Sequence, residues 1–65
     1  MAGVREQIIV FLKTNEEYAF TTSEIAEAID ENKTTVSMKL IELEDEGKID
    51  RKIVDKLIHN RYIGD

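Results

Sequence analysis

The chain has 65 residues, 42% of them apolar and 35% charged, with no cysteine, no proline and a formal net charge of −5 at pH 7. This length holds a single domain, residues 1 to 65, with one small core, and the composition is that of a folded chain, not a disordered one. The missing cysteines exclude a disulfide framework and a thiolate metal site, and the net acidity argues against a general affinity for nucleic acid, which depends on neutralising phosphates.

From Gly3 to Thr14 the apolar residues Val4, Ile8, Phe11 and Leu12 recur at i, i+4, i+7 and i+8, with Arg5, Glu6, Gln7 and Lys13 between them. This spacing predicts an amphipathic first helix. Ile9 widens its apolar stripe, while Val10 falls outside it and reads as a scattered exposed residue or part of a partner surface. Thr14 to Glu17 is a polar turn, and Tyr18-Ala19-Phe20 a brief strand or extended entry.

Thr21-Thr22-Ser23-Glu24 follows the S/T-x-x-E capping box, with Thr21 as N-cap and Glu24 at the third helical position. Phe20 and Ile25 are spaced for a hydrophobic staple. The second helix that starts here buries Ile25, Ala26 and Ile29, and Asp30-Glu31 makes the next turn. Asn32 then caps a third helix of about residues 33 to 46, ended by Gly47. Its apolar stripe is Val36, Leu40 and Leu43, leaving Lys33, Thr34, Ser37, Met38 and Ile41 to look outward.

Lys48 to Val54 and Leu57 to Ile63 flank Asp55-Lys56 and read as a β-hairpin. Asp-Lys is not a preferred two-residue turn, so a four-residue loop from Val54 to Leu57 is equally acceptable; both give one register. In that register Ile49 opposes Tyr62 and Ile53 opposes Ile58. One face then carries Ile49, Ile53, Ile58 and Tyr62 for the core, and the other carries Lys52, His59 and Arg61. Asp50 opposes Arg61 and is placed to neutralise it.

The charge is unevenly divided. Residues 1 to 47 carry 4 basic and 11 acidic side chains (−7), residues 48 to 63 carry 5 basic and 2 acidic (+3), and Asp65 adds −1. The hairpin is thus a basic segment on an acidic body. The longest apolar run, Ile8 to Leu12, is far too short to cross a bilayer, and MAGVREQ offers no basic region ahead of an apolar run; a cytoplasmic protein is expected.

Three helices, a short strand between the first two and a C-terminal hairpin resemble the winged helix-turn-helix fold, an α+β class dominated by helix. The stretch FTTSEIAEAIDENKTTVSMKLIELEDEGKI is similar to the corresponding part of bacterial and archaeal regulators of the MarR, ArsR and Lrp type. In those families a threonine opens the second helix, Ile-Ala begins its buried face, a polar residue caps the third, and Leu-x-x-Leu leads to a Gly-x-Ile exit. Thr21, Ile25-Ala26, Asn32, Leu40 to Leu43 and Gly47 to Ile49 hold those places here. Asp30 and Glu31 stand where such regulators usually carry a glycine and an apolar residue, and the third helix has no arginine on its exposed face.

The resemblance implies a small DNA-binding protein, a transcriptional regulator, whose third helix enters the major groove of double-stranded DNA. It places Lys33, Thr34, Thr35, Ser37 and Met38 at the groove-facing start of that helix. Lys33 and the two threonine hydroxyls would hold phosphates with the helix N-terminal amides, while Ser37 and Met38 would reach base edges. Arg51, Lys52, Lys56, His59 and Arg61 would let the hairpin grip the backbone. Specific binding calls for a homodimer, because one such module makes few contacts. The alternative is a protein-interaction module that binds a partner protein through the acidic body and the exposed Met38-Ile41 pair. No cofactor is expected, and a lone His59 makes no metal site. Without a nucleophile beside a histidine, a phosphate-binding glycine loop or a chain long enough to enclose a pocket, no enzyme is expected either.

Overall fold

The computed structural model describes residues 3–64, in the order α1 (Val4–Thr14), β1 (Phe20–Thr21), α2 (Thr22–Ala28), α3 (Lys33–Asp45), β2 (Ile49–Val54) and β3 (Leu57–Tyr62). The three helices and the three strands of one antiparallel sheet, in spatial order β1-β3-β2, make a small α+β domain. The expected helices all form, within a residue or so of their expected ends. The brief strand lies at Phe20–Thr21, slightly later than the expected Tyr18 to Phe20, because it is β3 that defines it: Phe20 pairs with Asn60 and Thr21 with His59. Tyr18 stays exposed.

Local chemistry fixes the helix ends. Thr21 Oγ1 accepts from the Glu24 amide at 3.2 Å, and the Thr21 amide donates to Glu24 Oε1 at 2.8 Å, so the capping box is closed in both directions. Asn32 Oδ1 accepts from the amides of Thr34 at 2.8 Å and Thr35 at 3.3 Å. Both α2 and α3 end in the same reciprocal pair of backbone bonds. After α2 the Asp30 amide donates to the Glu27 carbonyl and that of Glu31 to Ala26; after α3 the Gly47 amide donates to Glu44 and that of Lys48 to Leu43. This closure needs a left-handed residue just past the helix, which Gly47 supplies at φ 79°. Asp30 supplies it after α2 at φ 53°, where a glycine would be unstrained.

The core gathers one stripe from each element: Ile8 and Leu12 of α1, Ile25 and Ala26 of α2, Val36, Leu40 and Leu43 of α3, and Ile49 and Tyr62 of the hairpin. Val4, Ile9, Phe11, Phe20 and Ile29 pack around it, with the Phe11 and Phe20 rings 4.8 Å apart between centroids. The hairpin takes the expected register, closed by the two-residue turn Asp55-Lys56 with both residues in the left-handed region, φ 51° and 69°. Only its first rungs reach the core. Ile53 is 75% exposed and Ile58 41%, which corrects the expectation that both join Ile49 and Tyr62 inside. Their side of the sheet is the helix-facing one, but the helices do not extend far enough along the hairpin to cover them.

Candidate nucleic-acid interface

The first half of α3 and the hairpin meet over a groove of about 380 Å³ lined by Thr21, Thr22, Ser23, Lys33, Ser37, Arg51, Lys56, Leu57 and Ile58. Its polar lining is three cations and four hydroxyls, with no carboxylate. Each member has a structural reason to be there. The capping box sets Thr22 and Ser23 in the first turn of α2, the Asn32 cap sets Lys33 at the first position of α3, and Ser37 follows one turn later. Arg51 shares its face of β2 with the buried Ile49, so it turns inward toward the helices.

The position of Arg51 is fixed by a side chain that periodicity did not single out. Asn60, opposite it on β3, is fully buried. Its Oδ1 accepts from Arg51 Nε at 2.9 Å, and its Nδ2 donates to the Phe20 carbonyl at 3.0 Å. One amide therefore joins all three strands and holds the guanidinium at the rim of the groove. A polar residue alternating with Ile58 and Tyr62 on the inward face was the feature of the sequence that marked it.

The ten residues singled out from the sequence divide. Lys33, Ser37, Arg51 and Lys56 come together in the groove. Met38, 59% exposed, and Thr34 lie on the open surface of α3 next to it. Thr35 is half-buried, and the amides of Thr34 and Thr35, expected to help hold phosphate, are already taken by Asn32. Lys52, His59 and Arg61 alternate onto the other face of the hairpin, away from α3. There Lys52 sits 3.7 Å from Asp50, His59 Nδ1 lies 3.1 Å from the Leu57 carbonyl, and Arg61 Nε donates to the Glu16 carbonyl at 3.1 Å. Asp50 thus pairs along its own strand with Lys52, where the register suggested Arg61 across the ladder. Thr21, Thr22 and Ser23 are the polar members of the groove that sequence reasoning passed over; it read them as a helix start only.

The acidic residues stay on adjoining surfaces. Asp30, Glu31 and Glu27 line a neighbouring concavity that shares Lys33 and Ser23 with the groove. Glu31 Oε1 accepts from the Asn32 amide at 3.1 Å, which keeps one carboxylate at the positive end of α3. Glu42 lies 3.8 Å from Lys39, and Glu46 is paired with Arg5. Among the described residues no group of three or more His, Cys, Asp or Glu side chains is placed to hold a metal ion, and no helix is long and apolar enough to cross a membrane. Comparison with family models, with curated proteins and with solved structures finds no match to this chain.

Proposed function

We propose that this chain is a small winged-helix DNA-binding protein, a transcriptional regulator, that lays the exposed side of α3 in the major groove and takes the flanking phosphates between α3 and the hairpin. The order α1-β1-α2-α3-β2-β3 with sheet order β1-β3-β2 supports the winged-helix reading. The observation that carries the function is the carboxylate-free groove in which Lys33, Arg51 and Lys56 meet the hydroxyls of Thr22, Ser23 and Ser37. A phosphate diester is the ligand that such a set of donors fits, since it brings charge and several acceptor oxygens together. Ser37 and Met38, beside the groove on α3, are then the side chains nearest to base edges, with Met38 suited to a thymine methyl. The helical body, carrying −7 over residues 1 to 47, disfavours approach of duplex DNA to the helix surfaces outside the groove.

An amide NMR titration with mixed-sequence duplex DNA at two salt concentrations tests this. Shifts should concentrate at residues 21 to 23, 33 to 38 and 51 to 58 and fade as salt rises. Lys33→Ala and Lys56→Ala should each weaken binding and lower the slope of log K against log salt by about 0.9, one phosphate contact apiece. Arg61→Ala, on the opposite face, should leave both unchanged. A spectrum unmoved at low salt would remove DNA as the ligand. A second reading, a protein-interaction module, is favoured by the exposure of Met38 and Ile41, 59% and 54%, one turn apart on α3. Met38→Glu separates the two: it should abolish capture of a protein partner under that reading, while on DNA it adds repulsion that salt screens.

A further inference from the structure

One long edge of the sheet is open. In the order β1-β3-β2, β2 pairs on one side only, and among the described residues no backbone hydrogen bond outside its ladder with β3 reaches Ile49 to Val54. Which of its backbone groups face outward follows from the turn. A two-residue hairpin turn is closed by a hydrogen-bonded pair, here Val54 with Leu57, and bonded and non-bonded pairs alternate along an antiparallel ladder. Val54, Lys52 and Asp50 therefore direct their amides and carbonyls to β3. The Lys48 carbonyl, in the same alternation, accepts from the Ile63 amide at 3.0 Å. The amides and carbonyls of Ile49, Arg51 and Ile53 point the other way, along the open edge.

Such an edge is a template for another strand, and its side chains say which one. Paired antiparallel with itself about a two-fold axis at Arg51, β2 matches its outward backbone groups and sets Asp50 opposite Lys52 of the second copy, and Lys52 opposite Asp50. The neighbouring registers that also match those groups centre on Asp50 or on Lys52 and set that residue against itself, a like-charge pair that destabilises a ladder. Arg51 falls opposite Arg51, but the two guanidinium groups do not meet. Nε is bonded to Asn60 on β3 at 2.9 Å, which draws the group across its own sheet and away from the open edge. On the helix side the same register brings Ile53, 75% exposed because its own helices stop short, beside Ile49 at the margin of the other copy's core. From this self-complementarity we infer that a second copy of the chain pairs with β2 edge to edge, joining two three-stranded sheets into one of six strands with the helices of both copies on the same face. The inference does not depend on the DNA-binding reading. Six paired residues a side bury less than a standard interface, so the dimer is of the weak, reversible class.

Sedimentation equilibrium of the full chain, without DNA and at concentrations up to about 1 mM, should show monomers and dimers in exchange. Amide hydrogen exchange at Ile49, Arg51 and Ile53 should slow as the concentration rises. Lys52→Asp turns both ionic pairs of the interface into carboxylate pairs and should weaken association about tenfold or more. Asp50→Lys/Lys52→Asp exchanges the charges, restores their opposition and should recover the dimer, the fold of each variant being checked by its NMR spectrum. A chain that stays monomeric at the highest concentration overturns the inference, whatever other extended segment the edge accepts. A dimer that Lys52→Asp leaves intact, or that the exchanged pair does not restore, also overturns it, because the copies would then meet through another surface, such as the Val10 side of α1.

Discussion

Asn60 is a polar side chain sealed in the interior with a hydrogen bond at each of its polar atoms supplied from within. Its amide satisfies the Phe20 carbonyl on one side and is satisfied by Arg51 on the other. Removing it exposes an asymmetry of hydrogen bonding: the bonds themselves contribute little net stability, but partners left behind without water cost far more. Asn60→Ala should therefore destabilise the domain by about 1–3 kcal/mol, read as a lower urea midpoint. If the chain binds DNA as proposed, the variant should also weaken that binding beyond the effect of stability, since Arg51 loses its anchor. Unchanged stability would mean that water reaches the Phe20 carbonyl and that Asn60 does not join the strands. The Arg5 and Glu46 pair makes the contrast at the same scale: both side chains are more than a third exposed, so the pair contributes at most about 1 kcal/mol.

At the scale of elements, two ends of secondary structure carry a residue that the backbone does not suit. Asp30 holds the left-handed position after α2, and Lys56 the second left-handed position of the hairpin turn. An L residue there is strained by about 1–2 kcal/mol, somewhat less for aspartate, and part of the relief gained by substitution is offset by the extra freedom of glycine in the unfolded chain. Asp30→Gly and Lys56→Gly should each raise stability by about 0.5–1 kcal/mol, or a few degrees in Tm; a fall in either would show that the native side chain makes a compensating bond. The helices were legible in the sequence because their instructions are local. Thr21 and Glu24, or Asn32 and the amides it caps, lie within one turn of each other, and the stripe Val36, Leu40, Leu43 states its own period. The hairpin register was legible for the same reason. What alternation does not encode is how far along a strand the core extends, so Ile53 and Ile58 read as buried although they project past the helices. Nor does it encode bonds between distant elements: Arg61 to Glu16 and Asn60 to Phe20 each span most of the chain. The candidate site was legible to the extent that it lies on α3. The sequence puts Arg51 on the hairpin without assigning it a face, and bringing it into one groove with Lys33 and Ser37 took the packing of the sheet on the helices.

The molecule as a whole depends on a very small interior. Among the described residues nine apolar side chains are buried, three of them from α3 alone. A chain of this length is held by about 3–10 kcal/mol in all, while truncating a fully buried leucine costs about 2–5 kcal/mol. Leu40→Ala should accordingly leave a large fraction of the protein unfolded at 37 °C, visible as loss of helical circular dichroism; a cooperative transition near that of the unaltered chain would show that the core collapses around the gap.

The bond between Arg51 and Asn60 reaches beyond stability. A free arginine side chain carries about 2 kcal/mol of rotamer freedom, and a ligand that recruits it must ordinarily freeze that motion in the act of binding. Here the freezing takes place as the chain folds. With Nε held by Asn60, the other guanidinium N–H groups remain for a phosphate of the proposed DNA ligand, which would meet a donor already at rest.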